Sequence, residues 1–248
     1  MRIAVCAANN VGLELSSFIC DLEHPVEFAI TCKGDKREPE IYEKFRRSGI
    51  LCYRNIDINS ENFFSLLEKE NIDIVFLLWW PKIVKENIIG QAKIGFVNLH
   101  PSLLPYNRGK HPYYWSIVEN TPAGVSIHFI TKNIDDGSII AQREIPIDIT
   151  TTGEDLYNKS IKEIINLFKE AYPKIISGNI ESTGQKDKES TFHLSKELDI
   201  HSEIHLDRKY TGREIIDIIR ARSFPGSPSS FFHLDDKKYY INIKITES

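Results

Sequence analysis

An α/β fold is predicted, Rossmann-like, with a mainly parallel sheet and a small C-terminal α+β unit ending in a β-hairpin. Three observations predict it. Short apolar runs recur through the first hundred residues, at Met1 to Ala8, Val26 to Cys32, Ile72 to Leu78 and Gly95 to Leu99. Amphipathic or charged segments of helical length stand between most of them, the spacing of βαβ units, which require parallel pairing. After residue 100 this alternation stops, and the chain closes on one helix and one hairpin pattern.

Each element follows from its own pattern. MRIAVCAA reads as a buried strand and Leu13 to Leu22 as the helix after it. Val26 to Cys32 is the second strand, about Glu38 to Ser48 a charged helix, and Ile50 to Arg54 a third strand. A helix over about Asn59 to Glu70 leads into IDIVFLL, residues 72 to 78, a fully buried strand. Beyond the strand Gly95 to Leu99, Pro112 to Glu119 reads as a short helix. Gly124 to Thr131 and Ser138 to Ile147 read as two strands across NIDDG. A long helix begins near Thr152, whose hydroxyl can cap the amide of Asp155. Its apolar stripe is Ile161, Ile164, Ile165, Phe168, Tyr172 and Ile175, Pro173 is expected to kink it, and Gly178 suits its end. Residues 179 to 209 are polar and read as a link. The helix Thr211 to Arg222, the turn-rich FPGSPSS, and a hairpin of Phe231 to Leu234 with Tyr239 to Ile245 across Asp235-Asp236 follow. This organisation gives a main domain over residues 1–180 and a small unit over residues 181–248.

The 248 residues suffice for a large core, and 41% hydrophobic with 27% charged residues is a globular composition. A net charge of −4 argues against nucleic acid as the main partner, since no basic surplus neutralises phosphates. The four cysteines, Cys6, Cys20, Cys32 and Cys52, form no CxxC pair and read as reduced structural residues of a cytoplasmic protein. No run approaches the ~20 apolar residues of a membrane span. Asn9, Asn10 and Glu14 interrupt the N-terminal run, so no secretory leader is read.

The chemistry-bearing stretch is FVNLHPSLLPYNRGKHPYYW, residues 96 to 115. Asn98 and His100 are two residues apart at a strand end, so their side chains leave the same face. Asp135 and Asp136 sit in a turn with Gly137, and the loop after the strand carries Arg108, Lys110 and His111. An amide can donate to an oxyanion, an imidazole can take a proton from an amine, and a carboxylate can orient that imidazole. No serine or cysteine nucleophile accompanies them, which suits direct amine attack on an activated acyl group. The same residue types also serve as structural polar groups at strand ends, and Asp-Asp-Gly is an ordinary turn sequence. A metal site of His100, His111 and Asp135 is a further reading, but the spacing matches no usual ligand pattern and no metal is expected.

Asn98-Leu99-His100-Pro101-Ser102-Leu103-Leu104-Pro105 with Gly109 closely resembles the N-x-H-x-S-L-L-P-x-x-x-G signature of formyltransferases that use N10-formyltetrahydrofolate. GVSIHFITKNIDDGSIIAQREIPI, residues 124 to 147, resembles that family's second block, with Asp135 at its aspartate position. The resemblance implies a formyltransferase core with Asn98, His100 and Asp135 as catalytic residues. Asn98 would hold the formyl oxygen, and His100 would act as base or stabilise the tetrahedral intermediate. Asp135 would orient His100 or relay protons. It implies N10-formyltetrahydrofolate as cosubstrate, lying against Leu78 to Val84, where Trp80, Lys82 and Ile83 are the contacts, and against Asn133 to Asp135. Of the two tryptophans, Trp79 is assigned to the core and Trp80 to the cofactor wall.

Within that family, AANNVGLEL after the first strand lacks the glycine-serine-rich phosphate loop of members acting on glycinamide ribonucleotide. The short tail and acidic charge differ from members acting on methionyl-tRNA, which remains the alternative together with a non-catalytic folate- or nucleotide-binding protein. The chain looks most like the small members acting on nucleotide-linked amino sugars for bacterial surface polysaccharides such as lipopolysaccharide O-antigen. This implies a dTDP-linked amino-deoxy sugar, with Arg108, Lys110, His111, Tyr114, Arg220 and Phe224 as substrate contacts. The aromatic residues of the hairpin, Phe231, Phe232, Tyr239 and Tyr240, predict a homodimer interface through the C-terminal unit.

Overall fold

The structure is a computed structural model describing residues 1–22, 24–224 and 228–247. The FPGSPSS turn therefore lies partly outside the described residues. The first half alternates as expected: β1 (Ile3–Ala7), α1 (Asn9–Cys20), β2 (Val26–Thr31), α2 (Glu38–Arg47), β3 (Cys52–Tyr53), α3 (Glu61–Lys69) and β4 (Ile74–Leu78). Then come α4 (Glu86–Ile89), β5 (Gly95–His100), β6 (Arg108–Gly109), α5 (Pro112–Val118), β7 (Gly124–Phe129) and β8 (Ile139–Glu144). The chain ends with α6 (Gly153–Ile176), β9 (Phe192–His193), α7 (Glu197–His201), α8 (Gly212–Ala221), β10 (Ser230–Leu234) and β11 (Lys237–Ile241).

Seven strands form one sheet in the order β3-β2-β1-β4-β5-β7-β8. The pairings β1–β2, β1–β4, β2–β3 and β4–β5 are parallel, and β5–β7 is antiparallel. The order reverses between β1 and β4, a switch point whose carboxyl edge is where open α/β sheets take ligands. Every residue of β1 and β4 is buried, which accounts for their unbroken apolar sequences. Phe28, Phe63, Val75, Leu77 and Phe96 belong to one core cluster. Phe76 packs instead on Phe168 and Tyr172, ring centroids 5.5 and 5.3 Å away, so the predicted stripe of α6 faces the sheet. Gly12 permits α1 to start tight on this edge, since a Cβ there would stand 2.9 Å from the Leu78 carbonyl oxygen.

The chain divides into two compact units. One holds Met1–His100, Ser126–Ala141 and Ile164–Gln185; the other holds Pro101–Val125, Gln142–Glu163 and Lys186–Ser248. This grouping differs from a linear division at residue 180, because the loop after β5 and helix α5 belong with the C-terminal residues. The reason is visible in the second unit. Arg108 and Gly109 pair in parallel with Phe192 and His193, and Lys110 N–H donates to the His193 carbonyl at 3.0 Å. Asn107 is fully buried and donates to Ser116 and Thr121 hydroxyls at 2.8 Å each. The Trp115 ring stacks on His193 at 3.8 Å. The polar stretch read as a link thus contributes β9 and α7 to a packed unit.

Helix α6 starts with the cap foreseen for it, Asp155 N–H donating to Thr152 Oγ1 at 3.2 Å, and Gly178 takes φ +84 past its end. Helix α8 carries a capping box between Thr211 and Glu214. The hairpin pairs Phe231 with Tyr240 and Phe232 with Tyr239. Asp235 and Asp236 both have positive φ, 47° and 59°, as a two-residue turn requires. Among the described residues no helix is long and apolar enough to cross a membrane.

Candidate active site

Strand β5 sets the site. It lies between β4 and β7, with Leu77 beside Asn98 on one side and His128 beside Asn98 on the other. Val97 and Leu99 are buried on one face, while Asn98 and His100 leave the other at the carboxyl end of the parallel strands. The His100 side chain is only 7% exposed.

Asp135 reaches the same place from the turn between β7 and β8. It adopts φ 52°, and Gln185 Nε2 donates at 2.8 Å to both the Asp135 and Gly137 carbonyls, which pins the turn from outside. Gly137 is required there because a Cβ would fall 1.8 Å from the Phe129 carbonyl oxygen. Asp136 holds the loop itself, accepting from Asn133 Nδ2 at 2.6 Å and from the Thr131 hydroxyl. Asp135 is thereby turned toward the imidazoles. Its Oδ2 is 3.4 Å from His100 Nδ1 and its Oδ1 is 3.6 Å from His128 Nε2.

The structure thus brings Asn98, His100 and Asp135 together and adds His128, which sequence reasoning missed. In GVSIHF the histidine looks like any polar residue of a strand. Only the β5–β7 register, which places it beside Asn98, reveals it. His128 is 1% exposed, its Nδ1 is 2.8 Å from the Phe129 carbonyl oxygen, and its Nε2 is 3.3 Å from Asn98 Nδ2. Burial pushes its pKa down to about 4, further lowered by His100 and opposed by Asp135 and Asp136.

The segment after β4 leaves the sheet next to Asn98, because Leu77 is the Asn98 neighbour. The exposures of its tryptophans are the reverse of those expected. Trp80 is 8% exposed and belongs to the core, its Nε1 buried without a partner among the described residues. Trp79, with φ 59°, is the more exposed of the two. Lys82 is exposed, and Ile83 is 71% exposed. Ile134, beside Asn133 in the β7–β8 loop, is 40% exposed.

The remaining predicted residues fall in the second unit and differ in availability. Arg108 is half-buried and Lys110 exposed. His111 takes φ 58° and places Nδ1 3.0 Å from the Tyr113 hydroxyl; burial, Arg222 and Lys110 lower its pKa. Phe224 packs on Tyr113, centroids 5.0 Å apart. Two expectations are corrected. Tyr114 is fully buried, and burial raises its pKa to about 12, so it is a core residue and not a pocket wall. Arg220 is 1% exposed, donating to Asp217 at 2.6 Å and to the Asp148 and Thr151 carbonyls at 2.8 and 2.5 Å. The i−3 aspartate draws it inward. Its neighbour Arg222 pairs with Asp199 at 2.8 Å and is the cation beside His111.

Chemically the first unit offers an amide donor, an imidazole and a carboxylate at one strand end, with no nucleophilic serine or thiol in the set. All four cysteines are unpaired; burial raises the Cys6 and Cys20 thiols, and that of Cys52 to about 12. Among the described residues no group of three or more histidine, cysteine, aspartate or glutamate side chains is arranged to hold a metal. The sequence model of the formyl transferase family matches residues 23–172, and that of the N-formyltransferase dimerization C-terminal domain matches residues 197–247. The chain belongs to the formyltransferase family. This formyltransferase is 31% identical to the bifunctional polymyxin resistance protein ArnA of Wigglesworthia glossinidia brevipalpis, over 97% of the chain but only 37% of that relative's length. It is 27% identical to a GDP-perosamine N-formyltransferase of Brucella melitensis, covering 85% of the chain and 80% of the relative. Its fold matches a 4-N formyltransferase from Francisella tularensis with a TM-score of 0.83 at 24% identity, over 100% and 98% of the two chains. The formyltransferase PseJ from Anoxybacillus kamchatkensis, solved with UDP-4,6-dideoxy-4-formamido-L-AltNAc and tetrahydrofolate, matches with a TM-score of 0.57 at 25% identity, covering 81% and 89%.

Proposed function

We propose that this formyltransferase moves the formyl group of N10-formyltetrahydrofolate to the amino group of a nucleotide-linked amino-deoxy sugar. The observation that carries this reading is the placement of Asn98, His100 and Asp135 at one strand end, with Asp135 Oδ2 3.4 Å from His100 Nδ1. With Nδ1 directed at the carboxylate, the lone pair of the neutral ring resides on Nε2. The sugar amine attacks the formyl carbon, and Asn98 Nδ2–H donates to the oxygen that gains negative charge. His100 takes a proton from the amine, Asp135 stabilises the resulting imidazolium, and the proton passes to the folate nitrogen as its bond to the formyl carbon breaks.

The folate lies against Leu78 to Val84 and Asn133 to Asp135, in keeping with the exposed Ile83 and Ile134 side chains. The acceptor class is supported by the relatives, one named for GDP-perosamine and one solved with a UDP-linked formamido sugar. Thymidine diphosphate is the carrier favoured by the resemblance to small family members. In the acceptor, the diphosphate falls to Arg108 and Lys110 with Arg222 in place of Arg220, and the sugar or base to His111 and Phe224. The enzyme acts in the cytoplasm, in keeping with its four unpaired cysteines. It pairs as a homodimer through the β10–β11 hairpin, in keeping with the match of residues 197–247 to a dimerization domain.

The test is formyl transfer from N10-formyltetrahydrofolate to a panel of dTDP-, UDP- and GDP-linked amino sugars, with charged methionyl-tRNA alongside. Turnover of at least one nucleotide sugar is expected. Turnover of the tRNA alone, or of nothing, overturns the reading.

A further inference from the structure

The two ring nitrogens of His128 have different surroundings, and together they dictate how the Asn98 amide is turned. Nδ1 lies 2.8 Å from the carbonyl oxygen of Phe129, which can only accept, so Nδ1 carries the proton. In a neutral ring Nε2 is then a lone pair. The Asn98 amide stands 3.3 Å from it, and only an NH2 group can face a lone pair at that distance. The Asn98 carbonyl oxygen is therefore turned away, and the second N–H of the same NH2 group is the one left to donate.

We propose that His128, held as the Nδ1–H tautomer, is a positioning residue that locks the Asn98 amide with its N–H, and not its carbonyl, directed at the formyl oxygen. The inference rests on the assignment of Asn98 as donor to that oxygen. A charged His128 would reverse the arrangement. Its Nε2–H would demand the Asn98 oxygen, the amide would rotate by half a turn, and a carbonyl dipole would oppose the developing negative charge. The same Nε2–H would attract Asp135 Oδ1, now 3.6 Å away, and draw the carboxylate from His100. The ring is guarded against that state by its surroundings. It is 1% exposed, flanked by His100 with ring centroids 6.2 Å apart, and its low pKa persists although Asp135 and Asp136 pull the other way. Strand pairing supplies the rigidity, since Asn98 and His128 are direct neighbours across β5 and β7.

The experiment has two arms on the intact protein. Nitrogen-15 spectra of histidine-labelled protein at pH 7, with the His128 signals assigned by their loss in His128→Gln, should show a protonated Nδ1 and a bare Nε2. The opposite tautomer or a charged ring overturns the proposal. In the kinetic arm, using a nucleotide sugar turned over by the wild type, His128→Leu should lower kcat roughly 10- to 100-fold with both KM values within about twofold. His128→Gln, which keeps an acceptor, should recover part of the loss. In an Asn98→Ala background the His128→Leu change should cost almost nothing more, whereas independent, multiplying losses overturn the proposal. If the wild type formylates no nucleotide sugar, the functional reading fails by itself, and the spectra still decide the tautomer.

Discussion

His100 Nδ1 faces Asp135 Oδ2 at 3.4 Å, although the two residues come from different elements. One ends a central strand and the other occupies a left-handed position in the turn between β7 and β8. The carboxylate stands beside the imidazole, and the turn holds the carboxylate there. Both ends of this relationship can be tested.

His100→Asn removes the proton acceptor while keeping a polar side chain at the strand end. The expected loss is about 10²–10⁴ in kcat, with folate binding and the melting temperature little changed. Steady-state kinetics and calorimetry check this. A loss below tenfold would mean that His100 is not the base.

Gly137→Ala places a methyl group against the Phe129 carbonyl oxygen, 1.8 Å from an ideal Cβ. The turn must open, and Asp135 moves with it. A destabilisation of about 2 kcal/mol is expected, with a fall in kcat. Urea unfolding and kinetics on the folded variant measure the two effects, and wild-type values in both would refute the role given to this glycine.

Arg220→Leu leaves Asp217 buried beside a single remaining partner among the described residues, Arg213, whose side chain is 56% exposed. A loss of about 3 kcal/mol in unfolding free energy is expected, with no change in KM for the acceptor. A raised KM at normal stability would restore Arg220 as a substrate contact.

His128 also makes stability depend on pH. Its pKa is about 4 in the fold and its ordinary value is 6.5, so between these values the unfolded chain binds more protons. Stability should therefore rise with pH through this window and level off above it, by on the order of 3 kcal/mol from this group. The titratable groups facing the ring are His100, Asp135 and Asp136. Urea unfolding between pH 4.5 and 7 should show a shallower dependence in His128→Gln, and an equal slope would contradict the assignment.

The hairpin leaves Leu234, Tyr239 and Tyr240 exposed at 48%, 41% and 56%. Tyr240→Glu puts a charge into the proposed interface and should yield a monomer by light scattering. A monomeric wild type at micromolar concentration would end the homodimer proposal.

Much of the fold was legible because its information is local. IAVCA, IVFLL and GFVNLH are apolar or alternating over lengths that only a strand buries well, and the stripe of α6 repeats at helical spacing. Asn98 and His100 share a face by period two alone. Thr152, Gly178 and Asp235-Asp236 marked a cap, a helix end and a turn through their own backbone chemistry.

The rest depends on partners remote in sequence. β6 and β9 are two residues each, too short for any periodicity, and exist because residues 108–109 meet 192–193. Arg220 and Arg222 look alike in a helical tail; an inward aspartate and two carbonyls decide that the first is buried. Trp79 and Trp80 are adjacent, and the left-handed backbone at Trp79 turns the second, not the first, into the core. By itself the sequence determined the alternating sheet and the polar pair at the end of β5, since strand and helix periods are written residue by residue. Tertiary structure alone decided that His128 stands against Asn98, and it carries Asp135 to His100, a pairing the sequence suggested only through the family resemblance. Those contacts arise from strand register and a pinned turn, which no local pattern encodes.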